Sequence, residues 1–205
     1  MLRRRRAEKE RTGTPADLLV VGLGNPGSKY EGTRHNVGVA VLEVLADRHD
    51  GRLRKGKELA LVGEIRIDGS RVALAFPQTF MNESGRAVVE LVRRYGIGDL
   101  ERLVVVHDEL DLPAGRVKVK LGGGLAGHNG LKSIRNHLHD DNFGRVRVGV
   151  GREGGQARGA NYVLSRPRGG EREEIDIGTV EAADAVEMIL DQGYEAAMNR
   201  FNAGR

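Results

Sequence analysis

Residues 22–38, GLGNPGSKYEGTRHNVG, decide how this chain folds. They follow the apolar run LLVV at residues 18–21, which reads as a buried strand, and end where apolar residues begin to recur at helical spacing. A strand, a loop of glycines and polar side chains, and then a helix open an α/β sheet, whose ligands bind outside the carboxyl ends of the strands. The run Asn25-Pro26-Gly27 folds the loop back on itself. Asn25 and His35 therefore stand on a loop that presents side chains and does little for a core. Gly22, Gly24 and Gly27 also spell the spacing of a dinucleotide fingerprint, but that motif opens a helix whose amides hold a pyrophosphate. Here Pro26 removes one of those amides, and residues 28–33 lack apolar helical spacing.

Outward from this stretch, Val37, Val41, Val44 and Leu45 predict a helix over residues 35–48. Strands at 60–67 and 72–76 flank Asp68-Gly69, a hairpin signature. Pro77 closes the second of them, and Gln78, Thr79, Phe80, Met81 and Asn82 follow at a strand end. Val88, Leu91, Val92 and Tyr95 predict a further helix, closed by Gly96. The apolar run 103–106 leads into His107, Asp108 and Glu109. Val117, Val119 and Leu121 alternate with Arg116, Lys118 and Lys120, so a half-buried strand is expected to carry three cations on one face. A glycine-rich connection then leads to His128, Asn129 and a short helix, whose first residue, Asn129, could serve as its N-cap. Val146, Val148 and Val150 alternate with Arg145 and Arg147, giving another strand with basic outward positions. Residues 152–170 read as loose, 171–192 as an acidic helix, and the vicinity of Tyr194–Phe201 as a short last helix. The expectation is a single α/β domain with a mixed, mostly parallel sheet and helices on both faces.

Composition narrows the function. The chain of 205 residues is 39% hydrophobic and 30% charged, ordinary for a soluble domain, and has no cysteine, which excludes disulfides, thiolate metal sites and cysteine nucleophiles. No segment reads as a membrane span or a signal peptide, so a cytoplasmic protein is expected. The net charge of +4 is uneven. Residues 1–15 carry six basic and two acidic side chains and predict a disordered basic tail ahead of a domain at 16–205. Residues 114–148 hold seven basic side chains against Asp140 and Asp141, whereas 171–195 hold nine acids against Arg172. A basic face and an acidic end suit an oriented polyanionic partner.

The polar residues that composition does not explain fall at successive strand ends: Asn25, His35, Asn82, Asp108 and Asn129. One histidine, one carboxylate and neutral amides suit a general base, its orienting partner and hydrogen-bonding groups for a polar substrate. A histidine needs only a small shift to act near neutrality. Each also has a plainer reading, Asn25 as a turn residue and Asp108 and Asn129 as caps. The six histidines show no metal-protease spacing, and no G-x-S-x-G elbow supplies a serine nucleophile. Water activated by a side chain is left.

The stretches GLGNPGSKYEGTRHNVG, PQTFMNESG, HDELDLPAGRVKVKLGGGLAGHNGLKSI and FGRVRVGVGR resemble, in order and spacing, the bacterial-type peptidyl-tRNA hydrolases. The resemblance implies hydrolysis of the ester between a peptide and the 3′-terminal ribose of tRNA, freeing the tRNA for translation, with no metal and no cofactor. It implies that His35 activates water, that Asp108 stabilises the His35 form that accepts the proton, and that Asn25 helps distinguish blocked from free aminoacyl groups. Tyr30, Phe80, Met81, Asn82 and Asn129 would line the groove for the peptide and the tRNA 3′ end. Lys118, Lys120 and Arg147 would meet acceptor-stem phosphates. The implied partner is peptidyl-tRNA alone, with neither membrane nor obligate protein partner, and the implied state is a monomer. The chain departs from the family pattern at Ala126, where a second glycine usually precedes GHNG, and at residues 166–170, which are more basic and glycine-rich. A tRNA-binding module without turnover, separable by an ester-cleavage assay, and a nucleotide-dependent enzyme, separable by nucleotide binding, are the other readings.

Overall fold

The apolar run at residues 18–21 lies at the middle of a seven-stranded sheet in the computed structural model, which describes residues 15–151 and 159–203. The basic tail falls outside these described residues except for Pro15. Strand β1 (Leu18–Gly22) leads through a 3-10 turn (Arg34–Asn36) into α1 (Val37–Arg48). Strands β2 (Arg54–Lys55), β3 (Ala60–Ile67) and β4 (Ser70–Pro77) follow, then a second 3-10 turn (Met81–Glu83) and α2 (Ser84–Arg94). Next come β5 (Leu103–Glu109), β6 (Val117–Leu121), α3 (Asn129–Leu138) and β7 (Gly144–Gly149). The chain ends with α4 (Gly159–Val163) and α5 (Gly169–Asn202).

The sheet order is β2-β3-β4-β1-β5-β7-β6, with β4, β1, β5 and β7 parallel and β2, β3 and β6 antiparallel to their neighbours. The mixed sheet expected from the sequence is the one found, with β4, β1, β5 and β7 as its parallel centre and three antiparallel pairings at its edges. The hairpin also stands where Asp68-Gly69 puts it. Both turn residues have positive φ, 48° and 86°, as the tight turn joining right-twisted strands requires. No helix among the described residues is long and apolar enough to cross a membrane.

Strand periodicity divides the core. Leu18, Val20, Leu74, Val104, Val106, Val119, Val146 and Val148 face α1 and α5; Leu19, Val21, Ala73, Ala75, Leu103 and Val105 face α2 and α3. Because β1 and β5 are covered on both sides, they read as continuous apolar runs. The chain leaves β1 toward β4 and then returns across β1 to β5. The carboxyl ends of β1 and β5 thus flank the point where strand order reverses, the place where such sheets bind ligands.

Some expectations change. Residues 152–158 lie outside the described residues, but α4 and the start of α5 occupy part of the stretch read as loose. Gly193, at φ 81°, breaks α5 where the sequence separates an acidic helix from a short last one. Gly22 and Gly38 serve close packing of α1 on the sheet, and no phosphate-binding helix opens at Gly24 or Gly27. A Cβ on Gly22 would lie 2.3 Å from the Gly38 carbonyl oxygen, and one on Gly38 would lie 2.4 Å from that of Val106.

Candidate active site

Asn36 shapes the loop that carries Asn25 and His35. Its side-chain oxygen accepts from the Asn25 backbone amide and its amide nitrogen donates to the Asn25 carbonyl, both at 2.9 Å. That reciprocal pair closes the loop between residues 25 and 36. The Asn25 side chain bridges to the next strand end, where its Oδ1 accepts from the Met81 amide at 2.8 Å. Asn25 is therefore a buried cross-link between two loops, not an ordinary turn residue. The donor fixes the side-chain orientation and leaves the Asn25 amide nitrogen for the cavity that Asn25 lines.

His35 Nδ1 lies 2.7 Å from Asp108 Oδ1, and His128 Nε2 lies 3.0 Å from the same oxygen. Asp108 is buried near the end of β5 and caps no helix. Burial alone would raise its carboxyl; the facing His128 and His35 rings outweigh that and hold it below the usual carboxylate range. An ionised Asp108 only accepts, so both facing ring nitrogens carry protons. His35 Nε2 then holds the free lone pair of that ring.

His128 was not among the site residues read from the sequence, and its role comes from the backbone. It is the N-cap of α3: its Nδ1 accepts from the amides of Gly130 at 3.1 Å and Leu131 at 3.4 Å. The cap suggested for Asn129 is thus corrected. Asn129 is the first helical residue, exposed and lining the cavity. Two donors facing Nδ1 keep the His128 ring in its Nε2–H form, aimed at Asp108. His35, Asp108 and His128 have the proximity of a metal ligand set, their ligand atoms lying within 4.8 Å of one another. The amide donors disfavour that use, because a metal on His128 Nε2 would need a proton on Nδ1, where two N–H groups already point. The arrangement is suited to holding a proton acceptor. Before His128, Ala126 takes φ 47°, the glycine-like backbone the loop requires at that position.

A cavity of about 530 Å³ opens over these residues. It brings together Asn25, His35, Phe80, Met81, Asn82, Asp108 and Asn129 from the sequence-based set. It adds Glu109, Leu110 and Asp111 after β5, and Val163 and Leu164 from the α4 segment. Phe80 is 57% exposed and Leu164 39%, so apolar surface faces the opening. Tyr30 does not line this cavity; it sits partly exposed in the turn closed by the Tyr30 amide on the Gly27 carbonyl.

The cations lie to one side. Lys118 pairs in register with Arg147 and Lys120 with Arg145, so all four share a sheet face with His107 and Glu109. Arg145 is corrected from outward to buried. Its guanidinium donates to the carbonyls of Gly123, Gly124 and Asp141 at 2.8, 2.7 and 3.0 Å, and burial lowers its pKa. It holds the glycine loop down. Arg147 donates from Nε and Nη2 to Glu109 Oε2 at 3.1 and 2.9 Å. Lys118 and Lys120 form no ion pair among the described residues. Lys120, Arg147 and Arg145 line a smaller cavity of about 240 Å³ with His107. Burial, then the nearby His128, push His107 down to about 3, so it is neutral.

The profile of the peptidyl-tRNA hydrolase family matches residues 19–205. The peptidyl-tRNA hydrolase of Kineococcus radiotolerans is 46% identical over 192 residues, covering 90% of this chain and 96% of the relative. That of Rhodococcus erythropolis is 49% identical over 185 residues, covering 90% and 97%. The crystal structure of peptidyl-tRNA hydrolase from Acinetobacter baumannii superposes with a TM-score of 0.86 at 38% identity, covering 94% of this chain and 99% of that one.

Proposed function

The chain belongs to the peptidyl-tRNA hydrolase family and hydrolyses peptidyl-tRNA, and from that premise we propose that His35, held by Asp108, activates the attacking water. The observation that carries this reading is the free lone pair at His35 Nε2, at the edge of a cavity whose other imidazole, His128, has both ring nitrogens engaged by Asp108 and the amides of Gly130 and Leu131.

Water approaches the ester carbonyl carbon while Nε2 removes one of its protons. The new C–O bond makes a tetrahedral intermediate, and the Asp108 carboxylate stabilises the imidazolium across Nδ1. As the intermediate collapses, the bond to the ribose oxygen breaks and His35 returns the proton to that oxygen, leaving free tRNA and a peptide carboxylic acid, which gives water's second proton to solvent and ionises. The amides of Asn82 and Asn129 stand on the exposed rim, able to donate to the developing oxyanion. Asn25 offers N–H donors to a carbonyl; an acylated substrate nitrogen brings such a carbonyl and a free ammonium brings none, which favours blocked over free aminoacyl groups. Phe80, Met81, Val163 and Leu164 hold apolar parts of the peptide end, with Tyr30 at the margin of the groove. Lys118, Lys120 and Arg147 meet acceptor-stem phosphates on the flanking strands. No metal or cofactor takes part.

The test is release of N-acetylated amino acid from its tRNA beside the free aminoacyl-tRNA, with and without a chelator. Hydrolysis of the blocked substrate alone, unaffected by chelation, is expected. Equal cleavage of both would remove Asn25 from selection, and loss of activity on chelation would replace the proposed water activation.

A further inference from the structure

Arg34 immediately precedes the catalytic-site histidine, yet its side chain points away from the cavity and is 7% exposed. Its Nε and Nη2 donate to the two oxygens of Glu171 at 2.7 and 2.5 Å, a fork-to-fork pair. Its Nη1 reaches the carbonyls of Tyr162 at 3.3 Å and Ser165 at 3.1 Å, and the Ser165 hydroxyl at 2.6 Å. The Arg34 backbone amide also donates to the Ser165 carbonyl at 3.1 Å. The guanidinium carbon lies 4.0 Å from the centre of the Tyr162 ring. The Tyr162 hydroxyl in turn sits 2.8 Å from both the Val150 carbonyl and Glu171 Oε1.

These bonds have one consequence for the site. Tyr162 and Ser165 bracket Val163 and Leu164, the two residues that form the far wall of the cavity. The same side chain that is covalently next to His35 therefore grips that wall on both sides and ties it to the first turn of α5 through Glu171. Arg166 adds a weaker tie nearby, donating to the carbonyls of Glu31 and Ser28 at 2.8 and 3.3 Å. A lysine could not make this node, because only a planar fork meets a carboxylate and two carbonyls at once.

We propose that Arg34, paired with Glu171, is a positioning residue that sets the distance between the Val163–Leu164 wall and His35, and so governs how tightly the peptide end of the substrate is held. It acts on binding and leaves the proton transfer at His35 alone. Hydrogen bonding to Arg34, working against burial, lowers the Glu171 pKa, so the pair is charged at neutral pH. The inference rests on the reading of this cavity as the peptidyl-tRNA site.

The test is steady-state hydrolysis by the full chain and by Glu171→Gln, Arg34→Lys and Tyr162→Phe, each with its melting temperature recorded. For Glu171→Gln and Arg34→Lys, KM is expected to rise about 5- to 20-fold, the range of a lost charge-assisted pair. The kcat should stay within about 2-fold, because the rate of the bound complex is set at His35. Its pH profile should keep its shape. Tyr162→Phe, which keeps the ring under the guanidinium, should give a smaller rise. An unchanged KM with a lowered melting temperature would overturn the proposal in favour of a purely stabilising pair. A fall in kcat with a displaced pH profile would overturn it in favour of an effect on His35. Should Arg34→Lys fail to fold, Glu171→Gln decides alone, since it keeps the size of the side chain. Inactivity of the unaltered protein would instead remove the functional reading itself.

Discussion

At His35 one ring nitrogen is held by Asp108, and the proposed mechanism assigns the proton transfer to the other. His35→Ala should lower kcat roughly 10²–10⁴-fold with a much smaller change in tRNA affinity. Asp108→Asn should also be impaired, because the asparagine cannot charge-stabilise the imidazolium. The double variant should be little worse than His35→Ala, since partners acting as one unit are not additive. Additive losses in kcat would sink the assignment. His128→Gln separates two jobs of one ring. Losing the cap on α3 should cost about 1 kcal/mol of stability in a denaturant melt. Losing the donor to Asp108 should lower kcat without altering KM, and unchanged turnover would confine His128 to its capping role.

At the scale of the strands, the cations of β6 and β7 are unequal despite their shared alternation. Lys118 and Lys120 form no ion pair among the described residues, whereas Arg147 is held by the buried carboxylate of Glu109. Lys118→Ala and Lys120→Ala should each weaken binding across tRNA species and flatten the logarithmic salt dependence by about 0.7–0.9 of a unit. Arg147→Ala should do the same and also lower the melting temperature, because buried Glu109 would keep only the Asp111 amide and lose its opposite charge. Unchanged salt slopes in the two lysine variants would remove this face from the tRNA contact. Arg145→Ala belongs to another class: its loss frees three carbonyls of the 123–141 region and should disturb the loop that carries His128.

For the whole molecule, the acid limb of stability should be led by His107. Its folded pKa is depressed to about 3 by burial, so between the ordinary histidine range and that value the unfolded chain binds a proton that the folded chain refuses. Stability therefore falls as pH drops from about 6.5 toward 3, by on the order of a few kcal/mol. Asp108 and Glu171 have depressed folded values of the carboxyl kind. Their contribution is present above about 4 and is lost only as pH falls below it through their folded values. Denaturant melts at pH 7, 5.5 and 4.5 should thus show proton uptake on unfolding that rises from about a quarter of a proton at pH 7 to about one at pH 5.5 and below, and His107→Gln should abolish it. A slope that survives the substitution would assign the acid sensitivity elsewhere.

The sequence by itself determined the strands other than β2, the hairpin and the loop that gathers Asn25 and His35, because these follow from local rules; β2, two exposed basic residues that read as loop, has no apolar pattern to announce it. Period-2 and helical apolar spacing name the elements, and Asp68-Gly69 closes a turn without help from distant residues. Asn82 and Asp108 were legible for a related reason: each follows or ends a strand of the parallel set, and parallel strands deliver their ends to one edge. Asn129 reaches that edge differently, because β6 runs antiparallel and the glycine-rich connection carries the chain back to the site. Only the tertiary structure decided what covers each face and which partners meet. Arg145 and Arg147 occupy equivalent places in the alternation, but a glycine loop lies over one and Glu109 pairs with the other. Arg34 and Glu171 are 137 residues apart, so no pattern in the chain announces their contact. His128 looks like a loop residue until α3 turns its ring into a cap and fixes the proton that points at Asp108. Periodicity sets the direction of a side chain relative to its own element; the packing of remote elements sets its dielectric, its partners and hence its chemistry.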